Sequence, residues 1–470
     1  MSKLTFRMSR HGGIALIAVL ASACDLDTLV RATDPDIIGV GAISNPTAAN
    51  AVRIGTLGRF NANTTGGESM FLYGGLFGDE FTTGDTFTQR VETDQRALTP
   101  QNGNITGAYR GLHLPRIGAI QARDALAQFS PTAPNWNFGE MFFVEAYMLN
   151  LLAEHFCNGQ PISSIKNGVE EFAAPIPTVE IYAMALAKVD SGLVRVGSGT
   201  VADDVRVRNA LSILKARILL NQGNFAGVQA AVSSVPTSYG WVQQHALTAR
   251  TPGIWSLINN QRRYIVSNNE GPLGMNFGTA ADPRVPTCVV GSPACVAAGL
   301  TLRRPFDNAN LAVPDMLYQL VAPTDASSMP LVTGLQARLF EAEALNRADR
   351  FAEALVILNT LRAAPPGYGR TIAAMPALVD PGTAAGRRDL IFREKGFWLF
   401  GLGHRYGDMR RMMRQYNMTQ NQVFPNGTWQ ISRAPGYSTD VVFRTPTAES
   451  FNPLQPVDAD GAPSCIDRNP

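Results

Sequence analysis

Leu331-Val-Thr-Gly-Leu-Gln-Ala-Arg-Leu-Phe340-Glu-Ala-Glu-Ala-Leu345, a polar stretch from Asn346 to Arg350, and then Phe351-Ala-Glu-Ala-Leu-Val-Ile-Leu358 together decide the fold class of this chain. The spacing of Ala337, Phe340, Ala342 and Ala344 predicts a helix over Leu331 to Leu345, and the polar turn followed by a second apolar run predicts a helical hairpin. The same plan occurs earlier. Val207 to Leu220 is followed by Asn221-Gln-Gly-Asn224 and then by Phe225-Ala226, so that Leu220-Asn221 and Phe225-Ala226 correspond to Leu345-Asn346 and Phe351-Ala352, with one extra residue in the later turn. A third segment, Glu140 to Phe156, sets Phe142, Phe143, Ala146, Leu149, Leu152 and Phe156 at three- and four-residue spacings, one broad apolar face.

Small residues where two helices cross, and an aromatic-Ala pair after a polar turn, are features of tetratricopeptide hairpins. Strand-like alternation is scarce and the copies are unevenly spaced, so the expectation is an all-α fold, a tetratricopeptide-like helical hairpin scaffold with large irregular loop insertions. The expected divisions are an N-terminal helical region over 46–235, an irregular insertion rich in Pro, Gly, Asn and aromatic residues over 236–326, and a C-terminal region with the last hairpin over 327–470.

The first residues carry Lys3, Arg7, Arg10 and His11 and no acid, then the apolar run Ile14 to Leu20, then Ala21-Ser22-Ala23-Cys24. This is the layout of a secretory signal peptide over 1–23, with an apolar stretch far short of the roughly 20 residues that span a bilayer. Cys24 after Ser22-Ala23 resembles a bacterial lipobox, although Ala21 stands where Leu is commonest; plain cleavage after Ala23 is the rival. Residues 24–45 would then serve as a lipidated tether.

Without residues 1–23 the 40 basic and 38 acidic side chains become 37 and 38, which leaves no electrostatic footprint of a nucleic-acid binder and no basic surface for an anionic membrane. Attachment to a membrane would come from the lipid alone. Five cysteines are too few for a disulfide framework; Cys288 and Cys295 bracket a loop-like hexapeptide that could close in an oxidising envelope, and Cys157 with Cys465 remains open as a second pair. No Cys-x-x-Cys or neighbouring His pair points to a metal, and no cofactor motif is present: Gly401-Leu-Gly403-His-Arg-Tyr-Gly407 has the wrong spacing for a dinucleotide loop.

Chemistry has little to stand on. The five histidines form no His-Glu-x-x-His, and there is no Gly-x-Ser-x-Gly or phosphate loop, so the expectation is that the protein is not an enzyme. Asp79, Glu80, Asp85, Glu92 and Asp94 cluster closely enough for a glycosidase-like pair, but acidic loop residues are more often solvated or hydrogen-bonded. Phe71, Tyr73, Phe77, Phe81 and Phe87 alternate with Gly, Thr and Asp, and Trp241, Trp255 and Tyr264 lie in the insertion. Flat rings beside Asp, Asn and Arg suit a sugar; most of these rings read as core, while Phe87 and Trp255 have loop-like surroundings.

Gly403-His404-Arg405-Tyr406-Gly407-Asp408-Met409-Arg410-Arg411 resembles a segment near the C-terminus of the SusD/RagB-like nutrient-binding outer-membrane lipoproteins. Ala281-Asp282-Pro283-Arg284 is similar to that family's Asp-Pro-Arg turn, Ser328 to Leu331 with Phe340-Glu-Ala-Glu-Ala344 to its last hairpin, and Pro446, Glu449 and Asn452-Pro453 to its closing element. Leu402 stands where the family usually has Glu, and Arg393-Glu394-Lys395 blurs its upstream Glu-Arg pattern. The resemblance implies a lid over a SusC-like TonB-dependent barrel in the outer membrane, capturing an oligosaccharide or peptide from the cell surface for uptake without covalent chemistry. Its ligand site maps by region to Asp79 through Asn102, which nominates Asp79, Phe81, Phe87 and Asn102, with Trp255 added from the aromatic reading. His404, Arg405, Asp408 and Arg410 read as a structural polar network that ties the last helix to the scaffold. An envelope adaptor using a concave helical face, and a glycan hydrolase using the acidic cluster, are the rival functions.

Overall fold

Among the described residues the first helix is α1 (Pro46–Ala62), where Asn45 accepts a hydrogen bond from the Ala48 N–H at 2.9 Å and Pro46 sits at the first helical position, whose N–H would have no partner in any case. The computed structural model describes residues 43–166, 169–306, 315–429, 436–459 and 461–470. Cys24, the signal segment 1–23 and most of the tether lie outside the described residues. The N-terminal half continues with α2 (Met70–Phe77), α3 (Thr88–Asp94), α4 (Gly103–Phe129), α5 (Asn135–His155), α6 (Thr178–Val196), α7 (Ala202–Asn221) and α8 (Ala226–Val232). After the short α9 (Pro293–Ala297) come α10 (Gly334–Arg347), α11 (Phe351–Ala363), α12 (Ala384–Trp398), α13 (Arg405–Tyr416) and α14 (Gln420–Val423). Among the described residues the strands form only two-stranded ribbons, so the scaffold is helical, as the 3.6-residue periodicity predicts.

Packing follows chain order. α1 lies on α4, α4 on α5, α5 on α6, α6 on α7, α7 on α8, α8 on α10 and α10 on α11. Both hairpins expected from the aromatic-Ala pairs form, as α7–α8 and α10–α11. One helix start differs from the sequence pattern: Met329–Thr333 is a strand paired with Gly240–Gln243, and α10 opens only at Gly334. Thr333 stops the strand, because its hydroxyl accepts from the Gln336 N–H while the Gln336 side chain accepts from the Thr333 N–H, a reciprocal cap. An apolar run that crosses from strand to helix carries no periodic break for sequence reading to find.

The described part of the stretch 236–326 is made of short strands, turns and the short α9, and it supplies one side of a shared core. Tyr264, Val266, Phe277, Met316 and Tyr318 pack with Leu72 and Leu76 of α2 and with Phe397, Phe400 and Trp429. Every residue of α2 is buried, and each large apolar side chain so covered is worth about 1.5–3 kcal/mol. Disulfides join Cys288 to Cys295 and Cys157 to Cys465. Among the described residues no helix is long and apolar enough to cross a membrane.

Candidate ligand-binding face

The antiparallel ribbon of Phe81–Thr83 with Tyr264–Val266 brings two distant loops together, since Thr83 lies opposite Tyr264 and the chain turns outward just beyond each. Asp85 sits at that junction. Its Oδ2 accepts from Arg90 Nη1 at 2.8 Å and Arg263 Nη1 at 2.6 Å, and its Oδ1 accepts from the Phe87 N–H at 3.1 Å. Burial would raise the Asp85 carboxyl, but the hydrogen bonds from Arg263 and Phe87 and the charges of both arginines hold it below the usual range. Glu68 grips Arg90 from the other side, with Nε and Nη2 each at 2.6 Å, and also accepts from the Tyr264 hydroxyl at 2.9 Å. The guanidinium groups are therefore fixed by a carboxylate frame, and each lies over a ring: Arg90 5.3 Å from the centre of Phe87, Arg263 4.0 Å from that of Phe306.

Those two rings are among the large apolar side chains left open, Phe87 46% and Phe306 51% exposed. The Phe306 loop is anchored by its own N–H to the Arg262 carbonyl at 3.0 Å and by Arg262 Nη1 to the Arg304 carbonyl at 2.7 Å. It rests directly on Gly84, where any Cβ would overlap Pro305. Flat apolar rings, positioned cation donors and a shared carboxylate on one face are what a pyranose needs, with C–H faces against the rings and hydroxyls toward the charges.

Behind this face the start of α13 is a junction of buried charge. Arg405 holds Asp79 through Nε–Oδ1 at 2.7 Å and Nη2–Oδ2 at 2.5 Å. Arg410 donates to the carbonyls of Ala153, Glu154 and Phe156 at 3.3, 2.5 and 3.2 Å, satisfying the open C-terminal end of α5. Asp408 accepts from Lys395 at 2.6 Å and from Arg411 at 2.7 Å. His404 is pushed well below its ordinary pKa by burial and then by the charges of Arg217, Lys395 and Arg411, so it is neutral and its Nε2 accepts from Gln336 Nε2 at 3.1 Å.

No family model and no curated protein matches the sequence. Solved structures do match. A SusD/RagB family protein of Bacteroides thetaiotaomicron aligns with a TM-score of 0.61 at 12% identity, over 86% of this chain and 94% of its own. A SusD-like carbohydrate binding protein of Bacteroides vulgatus aligns at 0.58 and 11%, over 90% and 99%. The fold is SusD-like. A laminarin binding SusD-like protein also aligns, at 0.54 and 14%, over 81% and 96%.

Within this SusD-like fold three of the five nominated ligand residues are framework. Asp79 is buried in its pair with Arg405. Phe81 is buried with its ring 6.0 Å from Tyr264 and 5.3 Å from Phe400, because both faces of its ribbon are covered. Asn102 caps α4, accepting from the Ile105 N–H at 3.2 Å and donating to the Gln89 carbonyl at 2.9 Å. None of the three reaches solvent. Phe87 does, and Trp255, at the start of the turn Trp255–Asn260, is partly exposed.

The acidic cluster is likewise turned inward. Glu80 accepts from the Gly401 N–H at 2.8 Å and burial drives its pKa to about 8; Asp94, buried beneath Thr82, Thr83 and Trp429, is raised to about 7. Glu92 accepts from Thr99 at 3.0 Å and Asn102 at 3.2 Å. With Asp85 held by two arginines, the five carboxylates are engaged within the protein and do not converge on one cleft.

Sequence reading missed Arg90, Arg263 and Phe306, which become neighbours only through the ribbon. It also missed Glu154, Arg217, Glu343, Lys395 and Arg411, the buried partners of the α13 junction. A signal existed for Glu154 and Glu343: each is a carboxylate set in the apolar stretch of an otherwise core helix, and such a position demands a cation.

Proposed function

We propose that this chain is a cell-surface glycan-binding lipoprotein that hands its ligand to a SusC-like TonB-dependent barrel and carries out no covalent chemistry. The observation that carries the reading is the pair of exposed rings, Phe87 and Phe306, each stacked with an arginine and both arginines held on Asp85. The SusD-like fold supports it, as do neighbours whose names state carbohydrate and laminarin binding. In this reading Cys24 carries the lipid, residues 25–45 give the reach, and the body sits over the outer-membrane transporter.

Titration calorimetry of the protein from residue 25 onward against laminarin and other neutral oligosaccharides tests the site. Phe87→Ala and Phe306→Ala are each expected to weaken the best ligand about tenfold, equivalent to roughly 1.4 kcal/mol, while Asp79→Asn acts through stability alone. Binding that ignores both ring deletions, or a peptide ligand that alone produces heat, sinks the assignment. For the anchor, full-length protein made in a bacterium that processes lipoproteins is expected to take up labelled palmitate and to copurify with a large outer-membrane barrel. Cys24→Ser should abolish the label and move the protein to the soluble fraction; continued membrane retention would contradict a lipid tether.

A further inference from the structure

At the far end of the last hairpin, away from the Phe87 face in sequence and in contacts, lies an open groove of about 330 Å³. Its walls are the C-terminal end of α10, the turn to α11, the first residues of α12 and the C-terminal end of α13. Such a volume falls at the low end of small-ligand sites. Three guanidinium groups, Arg347, Arg387 and Arg388, line it against one carboxylate, Asp349.

The arginines are not equivalent. Arg387 is paired with Asp380 at 2.7 Å and Arg388 with Asp389 at 2.8 Å. Arg347 makes no ion pair among the described residues; its guanidinium lies 5.0 Å from the centre of the Phe225 ring and 4.9 Å from that of Tyr416, two rings set edge-on to each other at 6.5 Å. Tyr416 is itself fixed, donating from its hydroxyl to buried Glu343 at 2.9 Å and packing edge-on against Phe392 at 5.2 Å. A guanidinium packed on aromatic rings without a carboxylate partner keeps N–H donors of its planar fork for a bidentate oxyanion. Asn346 and Asn417 add amide groups to the same lining, chemistry suited to hydroxyls, while the Gln415 amide is engaged inside, donating to the Leu220 carbonyl at 2.7 Å and accepting from Arg411 at 3.2 Å.

We infer that this groove is a second carbohydrate subsite that takes an acidic sugar, with the oxyanion of a uronate or sulfated unit on the edge of Arg347 and its hydroxyls on the amides. It is independent of the Phe87 face, and either can fail alone.

The test is calorimetry of the protein from residue 25 onward with trigalacturonate, a sulfated oligosaccharide, a neutral oligosaccharide of the same length and inorganic sulfate. An acidic oligosaccharide is expected to bind, to weaken as salt rises from low to high concentration, and to lose about tenfold in Arg347→Ala and in Arg347→Lys, which keeps the charge but not the fork. Phe87→Ala should leave this binding unchanged, which separates it from the proposed front site. Trigalacturonate against the sulfated probe decides which oxyanion is preferred, either outcome supporting the subsite. The inference is overturned if neither acidic probe binds, if Arg347→Ala binds as the parent does, or if inorganic sulfate binds as tightly as the sugars, which would make the groove a bare anion site. Arg347 is exposed, so unfolding curves of the variants should match the parent and keep these outcomes readable.

Discussion

Replacing Glu343 by alanine is expected to cost about 3–5 kcal/mol of stability, the range for removing one partner of a buried ion pair. Glu343 is fully buried in α10 and receives Lys395 at 2.8 Å, Arg411 at 2.6 and 2.8 Å, and the Tyr416 hydroxyl at 2.9 Å. Without it two buried cations share Asp408 alone. Burial would raise the Glu343 carboxyl, but the charges of Arg411 and Lys395 and the Arg411 hydrogen bonds hold it below its ordinary value. A depressed carboxylate contributes fully above the unfolded pKa, about 4.3, and its contribution fades as pH falls through the folded value. Denaturant unfolding should therefore show the largest gap between Glu343→Ala and parent near neutral pH and a narrowing gap below about pH 4. A loss under 1 kcal/mol at pH 7 would mean that the network is slack and that α10, α12 and α13 are held by apolar packing instead.

Gly403→Ala is the second large effect, expected at about 3 kcal/mol or more from strain and overpacking together. Gly403 has φ +68°, a region that a side chain rarely enters, and an added Cβ would drive into the Phe71 ring of α2. The carbonyl of Gly403 also accepts from Arg217 at 2.8 Å, so shifting the backbone to relieve the clash would break a buried hydrogen bond. Gly407, four residues on, makes the control: its added Cβ would meet nothing closer than Glu154 at 3.4 Å. Since it lies inside α13, Gly407→Ala should be neutral or gain up to about 1 kcal/mol from helix propensity. Thermal unfolding of the two variants side by side checks this; equal destabilisation would show that the motif's glycines serve some purpose other than the close approach at Phe71.

The two glycines show why motif reading and structure answer different questions. Gly403 and Gly407 look alike in the string Gly-His-Arg-Tyr-Gly, and only the left-handed turn at Gly403 and the position of α2 against the start of α13 separate the one that must lack a side chain. The same holds for Asp79 and Asp85. Both are acidic loop residues between α2 and α3, six apart, yet one is closed inside the protein by Arg405 and the other frames an exposed face through Arg90 and Arg263.

By itself the sequence determined the helical hairpins, because helix periodicity, small crossing residues and polar turns are local properties that about twenty consecutive residues express in full. It also determined that His404, Arg405, Asp408 and Arg410 had to find partners if buried, since charge and hydration are properties of the side chain. Only the tertiary structure decided which partners those are, which aromatic rings are left in water, and that Phe306 and Phe87 are tied through Arg263 and Arg90 to the one carboxylate of Asp85. Those facts depend on ribbons and on contacts between residues as much as 178, 326 and 335 positions apart, and burial is set by whatever covers a side chain and not by the residues next to it in the chain.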